Sequence, residues 1–98
     1  INATPLGMKP GDPAPFGTKL LSARQVVMDA VYAAGRTKLV EDALAVGCQA
    51  CNGGGMLVAQ AVATARIVST AQSVDLAMSD ADMFNAMADA AGFDCPRA

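Results

Sequence analysis

Alanine dominates the apolar part of this chain and limits the kind of core that it can build. Of the 98 residues 53% are hydrophobic, but 21 of these are alanine and only 4% of the chain is aromatic. Alanine is the best helix former and is depleted in strands. We therefore expect an all-α fold of narrow, closely packed helices, which have little bulk to fill a core on their own.

Proline and glycine divide the chain into an extended arm, residues 1–18, and a helical domain, residues 19–98. The first 17 residues hold four prolines and three glycines. Proline fixes φ and removes a backbone donor, and it pushes the preceding residue out of the α region. We predict that this arm lies along a partner surface and contacts it through Leu6, Met8, Pro10 and Phe16.

Capping and stop signals predict four helices after the arm. The first covers residues 22–34 and begins with an S-x-x-Q capping box. The second runs from an N-cap at Thr37 to a left-handed stop at Gly47. The third covers residues 56–74, after a run of glycines that does not favour helix, and the fourth opens at Ser79. Short connections favour antiparallel neighbours, so the sequence predicts a small up-down four-helix domain.

Three cysteines carry the most reactive chemistry in the sequence. Cys48 and Cys51 form a C-x-x-C, and an up-down bundle brings Cys95 to the same end. We expect one structural disulfide, either from Cys95 to one of the other two or between Cys48 and Cys51. A redox dithiol and a zinc site with Asp94 as fourth ligand are the alternatives. Residues 48–55 also resemble one C-x-x-C-x-G-x-G repeat of DnaJ-type chaperones, but that family needs four repeats to bind zinc, so no family is assigned.

Several classes of function are excluded or disfavoured by what the sequence contains. The net charge of −2 and the absence of clustered basic residues argue against nucleic-acid binding. With no histidine, imidazole chemistry is excluded. Residues 56–74 are almost long enough to span a membrane, but Arg66 and several polar side chains disfavour insertion. We assign no catalytic residue, no metal and no cofactor.

The start of the chain and its cysteines predict a compartment. The sequence begins at Ile1 rather than methionine, which is typical of a protein whose targeting peptide has been removed. Disulfides persist where the surroundings are oxidising. We therefore expect a secreted, periplasmic or organelle-lumen protein.

The low charge content suggests that much of the surface faces another protein. Only 16% of the residues are charged. Because so few residues are charged, we expect many small apolar side chains to lie on the surface, where they need a partner. We expect a non-catalytic accessory or structural subunit, packed on a larger protein complex, including a membrane complex, or on copies of itself. Met83 and Met87 would be adaptable contacts. The alternatives are a secreted helical carrier of an apolar small molecule and a thiol–disulfide protein that uses the C-x-x-C.

Overall fold

The computed structural model describes residues 1–32, 35–93, 95 and 98, and it shows a mixed α/β architecture. The chain divides into two compact units, which we call the strand unit, Ile1–Gly54, and the helical unit, Gly55–Ala98. The predicted all-α, four-helix fold is therefore wrong. In chain order the elements are a 3-10 turn at Thr18–Leu20, β1 at Val26–Met28, α1 at Lys38–Val46, β2 at Gln49–Cys51, α2 at Gly54–Ala71 and α3 at Asp80–Ala91.

The strand unit is built around parallel pairing. β1 pairs with β2 in register from Val26 opposite Gln49 to Met28 opposite Cys51. Because α1 lies between the two strands in sequence, they form a βαβ unit. Asn2 also bridges β1 in parallel: its N–H donates to the Met28 carbonyl at 2.8 Å, and its carbonyl accepts from Ala30 N–H at 2.9 Å. These bonds use the opposite edge of β1 from β2, so the order is Asn2, β1, β2.

The predicted first helix, residues 22–34, is where the sequence misleads most. Gln25 Oε1 accepts from Ser22 N–H at 2.7 Å and Gln25 N–H donates to the Ser22 carbonyl at 3.0 Å, so this pair closes a turn instead of capping a helix. The β-branched residues Val26 and Val27 follow and favour a strand. Ala34, the predicted last residue of that helix, lies outside the described residues.

The second predicted helix is confirmed as α1, and it supplies the core of the strand unit. Thr37 Oγ1 accepts from Val40 N–H at 3.3 Å as the N-cap, and Gly47 ends the helix with a φ of 94°. Leu39, exposed by only 2%, packs with three other buried residues. Those residues are Val27, Ala43 and Cys48.

The glycine run at residues 53–55 lies outside the third predicted helix, but α2 begins inside it. Asn52 Oδ1 accepts from Gly54 N–H at 3.0 Å, which satisfies one of the free donors at the helix start. Gly53 is held close to the segment that follows β1: a Cβ there would lie 2.3 Å from the Ala30 carbonyl oxygen. Glycine is therefore required where the chain leaves β2. The third predicted helix, 56–74, is observed as α2 at Gly54–Ala71.

The fourth predicted helix is confirmed as α3 in the helical unit. Ser79 Oγ accepts from Asp82 N–H at 3.1 Å, and Gly92 closes the helix with a φ of 69°. Arg66 on α2 anchors the connection to α3, because its guanidinium donates to Asp80 Oδ1 at 2.6 Å and to the Leu76 carbonyl at 3.2 Å. Among the residues that the structure describes, none of the helices has the length and apolarity needed to cross a membrane.

Candidate functional site

The carboxyl ends of the parallel segments gather the polar groups of the strand unit. Asp29 follows β1 directly, and its N–H donates to the Cys51 carbonyl at 2.9 Å. Gly53 follows β2, and its N–H donates to the Val31 carbonyl at 3.0 Å. Asn2 stands beside Asp29. In open α/β sheets this is the edge at which ligands bind, so a functional site is expected here.

A buried carboxylate organises this edge. Asp29 is 0% exposed, and its Oδ1 accepts from Asn2 Nδ2 at 2.9 Å and from Val31 N–H at 3.1 Å. Its Oδ2 accepts from Thr37 Oγ1 at 2.6 Å. Three donors from separate parts of the chain satisfy this buried group, as a buried carboxylate requires.

Next to this network lies a cleft of about 370 Å³, which we call the strand-end cleft. Small and apolar residues form most of its wall, and Thr4 and Tyr32 are its polar residues. A volume of this size suits a small organic ring or group. The lining residues are Ala3, Thr4, Pro5, Met8, Ala30, Val31 and Tyr32.

A second cleft of about 520 Å³, the basic cleft, adjoins the first, since Met8 lines both. It combines three cationic side chains with one carboxylate, Asp12, whose Oδ2 accepts from Gly7 N–H at 3.1 Å and Lys9 N–H at 3.0 Å. Gly7 and Gly11 have positive φ values, 104° and 84°, which suit glycine. The lining residues are Gly7, Met8, Lys9, Pro10, Gly11, Asp12, Arg36, Thr37 and Lys38.

The four arm residues predicted to contact a partner have separate locations. Leu6 is half-buried, and its carbonyl accepts from Asn2 Nδ2 at 3.2 Å. Met8, 61% exposed, and Pro10 line the clefts just described. Phe16 lies away from them and lines a different, smaller cleft with Leu20. The structure thus brings Met8 and Pro10 together, and their contact with a partner stays a prediction.

The three cysteines are free thiols, with Cys48 buried, Cys51 exposed and Cys95 half-buried. Cys48 Sγ donates to the Ser22 carbonyl at 3.1 Å. No disulfide joins them in the structure, and their pairing stays a prediction. Asp94, the fourth ligand of the alternative zinc site, lies outside the described residues.

The helical unit holds the two methionines predicted as adaptable contacts. Met83 is buried, with 6% exposure, and Met87 is half-buried on the same helix. Met83 therefore offers little surface to a partner in this structure. The unit also carries an open groove of about 630 Å³ along α2, lined by residues such as Gln60, Val68 and Leu76.

Sequence reasoning missed Asn2, Asp29 and Tyr32. The signal for Asp29 was present, because an aspartate directly after a short β-branched run is typical of the end of a buried parallel strand. Reading Val26–Asp29 as part of a helix conceals that signal. Asn2 had no local signal, since its role depends on pairing with a strand 27 residues away.

Comparison with known proteins places the chain beside dehydrogenases. It is 46% identical over 67 residues to a shikimate dehydrogenase (NADP(+)) of Methanothrix thermoacetophila, covering 68% of this chain and 24% of that protein. A shikimate dehydrogenase (NADP(+)) of an Arthrobacter species is 42% identical over 67 residues, covering 68% and 23%. A quinate/shikimate dehydrogenase (NAD(+)) of Corynebacterium efficiens is 39% identical over 67 residues, covering 68% and 24%.

The match is extensive for this chain and partial for the relatives. The chain spans about a quarter of the length of the curated relatives it matches. No family model and no solved structure matches it.

These similarities correct the functional predictions. The relatives are dehydrogenases and the described residues form a mixed α/β architecture, so the expectation of a non-catalytic, all-α accessory subunit is wrong. The carrier and the thiol–disulfide alternatives are replaced for the same reason. Some of the apolar side chains that suggested an accessory protein are instead buried in the core of the strand unit, where Val27 and Leu39 pack together.

The predicted oxidising compartment is wrong as well. That prediction depends on the cysteines and on Ile1 as a processed start, whereas the relatives are shikimate dehydrogenases. The expected partners, a larger complex or copies of the chain and no nucleic acid, stay predictions.

Proposed function

We propose that this chain supplies the nicotinamide-nucleotide contacts of an oxidoreductase that acts on shikimate or a close analogue. The observation that carries the proposal is the pair of adjoining clefts at the carboxyl ends of parallel segments. One cleft is mainly apolar and the other is rich in cations. This is the edge where α/β enzymes hold dinucleotides.

The two clefts match the two chemical parts of a nucleotide. A planar ring of modest size fits the strand-end cleft between Pro5, Met8 and Val31. A phosphate group fits the basic cleft, where Lys9, Arg36 and Lys38 supply positive charge. Lys38 also pairs with Asp42 at 2.9 Å, so Lys9 is the stronger of the two lysines as a candidate for the phosphate.

The names of the relatives suggest the cofactor and the substrate. Those compared above include NADP(+) and NAD(+) enzymes, and all of them act on shikimate. The chemistry that a bound nicotinamide nucleotide would supply is hydride transfer from the carbon of a substrate alcohol, with the hydroxyl proton released. The residues of this chain would orient the ring and exclude water from one of its faces, since Ala30 and Val31 offer no polar group except their backbone.

Titration of the chain with NADP(+) and with NAD(+) tests the proposal. We expect saturable binding that Ala30→Leu weakens about tenfold or more, because the added isopropyl group fills part of the strand-end cleft. Ala45→Leu is the matched control, since Ala45 is exposed on α1 and lines neither cleft. Equal affinity for all three proteins, or no binding to the wild type, would contradict the proposal.

A second pair of variants tests the basic cleft. Lys9→Gln removes a cation from the cleft, whereas Lys19→Gln removes one from the 3-10 turn, outside both clefts. We expect Lys9→Gln to weaken NADP(+) binding by about threefold to tenfold and to reduce its dependence on salt. If the two lysine variants behave alike, the phosphate does not occupy this cleft.

A further inference from the structure

One buried carboxylate, that of Asp29, is bonded to residues that form or adjoin the walls of both clefts, and it lines neither cleft itself. Asp29 accepts hydrogen bonds from Asn2 Nδ2 at 2.9 Å, Val31 N–H at 3.1 Å and Thr37 Oγ1 at 2.6 Å. Val31 lines the strand-end cleft and Thr37 lines the basic cleft. Asn2 immediately precedes the loop that walls both.

Asn2 extends this network into the loop. Its Oδ1 accepts from Thr4 N–H at 3.0 Å and from Thr4 Oγ1 at 2.7 Å, and its Nδ2 donates to the Leu6 carbonyl at 3.2 Å. With the bond to Asp29, both donors and both acceptor sites of the amide are used. The start of the loop is thus held by one side chain, which is itself oriented by Asp29.

Thr37 extends the network in the other direction, to the start of α1. Its Oγ1 donates to Asp29 and accepts from Val40 N–H at 3.3 Å. Gly7 lies against the same side chain, since a Cβ at Gly7 would be 3.5 Å from Thr37 Cγ2. A shift of Thr37 would therefore move the wall of the basic cleft on both of its sides.

We propose that Asp29 is a positioning residue, which sets nucleotide affinity by holding Asn2, Val31 and Thr37 at fixed separations. This inference rests on the proposed function. Asp29 is 0% exposed, so it acts on the ligand only through these three partners. A positioning role predicts that substitution of Asp29 weakens nucleotide binding more than a substitution elsewhere that lowers the fold stability by the same amount.

Asp29→Asn, Asp29→Ala and the control Val27→Ala test this role in the full chain. Val27 is also buried on β1, but it packs in the apolar core away from both clefts. Asp29→Asn keeps the shape and two acceptor bonds but turns a donor toward Thr37. Under conditions in which each variant is folded, we expect about tenfold weaker NADP(+) binding for Asp29→Asn and a larger loss for Asp29→Ala. Val27→Ala should bind within about twofold of the wild type.

Hydrogen exchange of the amides of Thr4, Val31 and Val40 provides a readout that does not need the nucleotide. We expect Asp29→Ala, which removes every acceptor at this position, to lose protection at these three amides and Val27→Ala to retain it relative to the rest of the strand unit. Retained protection in Asp29→Ala, or equal weakening of NADP(+) binding by Asp29→Ala and Val27→Ala, would overturn the inference. If the wild type does not bind NADP(+), the proposed function fails, and these amides still decide whether Asp29 positions the cleft walls.

Discussion

The strand unit and the helical unit use different kinds of information to fold. In the helical unit, α3 is bounded by local signals, a serine cap at Ser79 and a left-handed glycine at Gly92. In the strand unit, the decisive bonds join residues distant in sequence, such as Asn2 with Asp29 and Gly53 with Val31. The candidate nucleotide site belongs to the second kind, so its integrity depends on long-range pairing.

The largest effect is expected from the core of the strand unit. Leu39→Ala removes a side chain that is 2% exposed, and it should lower the free energy of unfolding by about 3 kcal/mol. Leu44→Ala, on the same helix but 38% exposed, should cost less than about 1 kcal/mol. Urea unfolding followed by circular dichroism measures both. Similar losses for the two variants would mean that α1 does not bury Leu39 against the sheet.

A glycine pair tests the close approach at the end of β2. Gly53→Ala should cost about 2 kcal/mol, because its Cβ would lie 2.3 Å from the Ala30 carbonyl oxygen. Gly17→Ala is the control, since a Cβ there meets nothing within 4 Å and its φ is −78°. Chemical unfolding of both variants gives the comparison. If Gly53→Ala is as stable as Gly17→Ala, the backbone at Gly53 does not approach Ala30 closely.

In the helical unit, a local cap should produce a local loss. Ser79→Ala removes the acceptor of Asp82 N–H and should cost about 1 kcal/mol. Ser79→Thr retains the hydroxyl and should cost much less. Hydrogen exchange should report increased opening in the first turn of α3 for Ser79→Ala. Increased exchange in β1 and β2 instead would show that the cap stabilises the fold through long-range contacts.

The smallest effect is expected from the surface of the strand unit. The Lys38–Asp42 pair, at 2.9 Å, has side chains that are 57% and 20% exposed. Asp42→Asn should cost no more than about 0.5 kcal/mol at low salt, and molar salt should remove the difference. A loss that persists in molar salt would mean that Asp42 has a structural role besides this ion pair.

The sequence allows α1 and α3 to be predicted because caps and stop residues mark their ends. β1 could not be recognised in the same way, since it has only three residues, Val26–Met28, and directly follows an apparent helix-capping box that begins at Ser22. The site could be predicted only in part. Met8 and Pro10 stood out as apolar residues of the arm, whereas Asp29 gains its role from partners at positions 2 and 37.

Mapping of NADP(+) binding by amide chemical shifts is the decisive measurement for the proposed nucleotide site, because it resolves the two units. We predict saturable shift changes at Thr4, Met8, Val31 and Tyr32 in the strand unit. Changes confined to residues 55–98, or no saturable changes anywhere, would contradict the assignment of the nucleotide site to the carboxyl ends of the parallel segments.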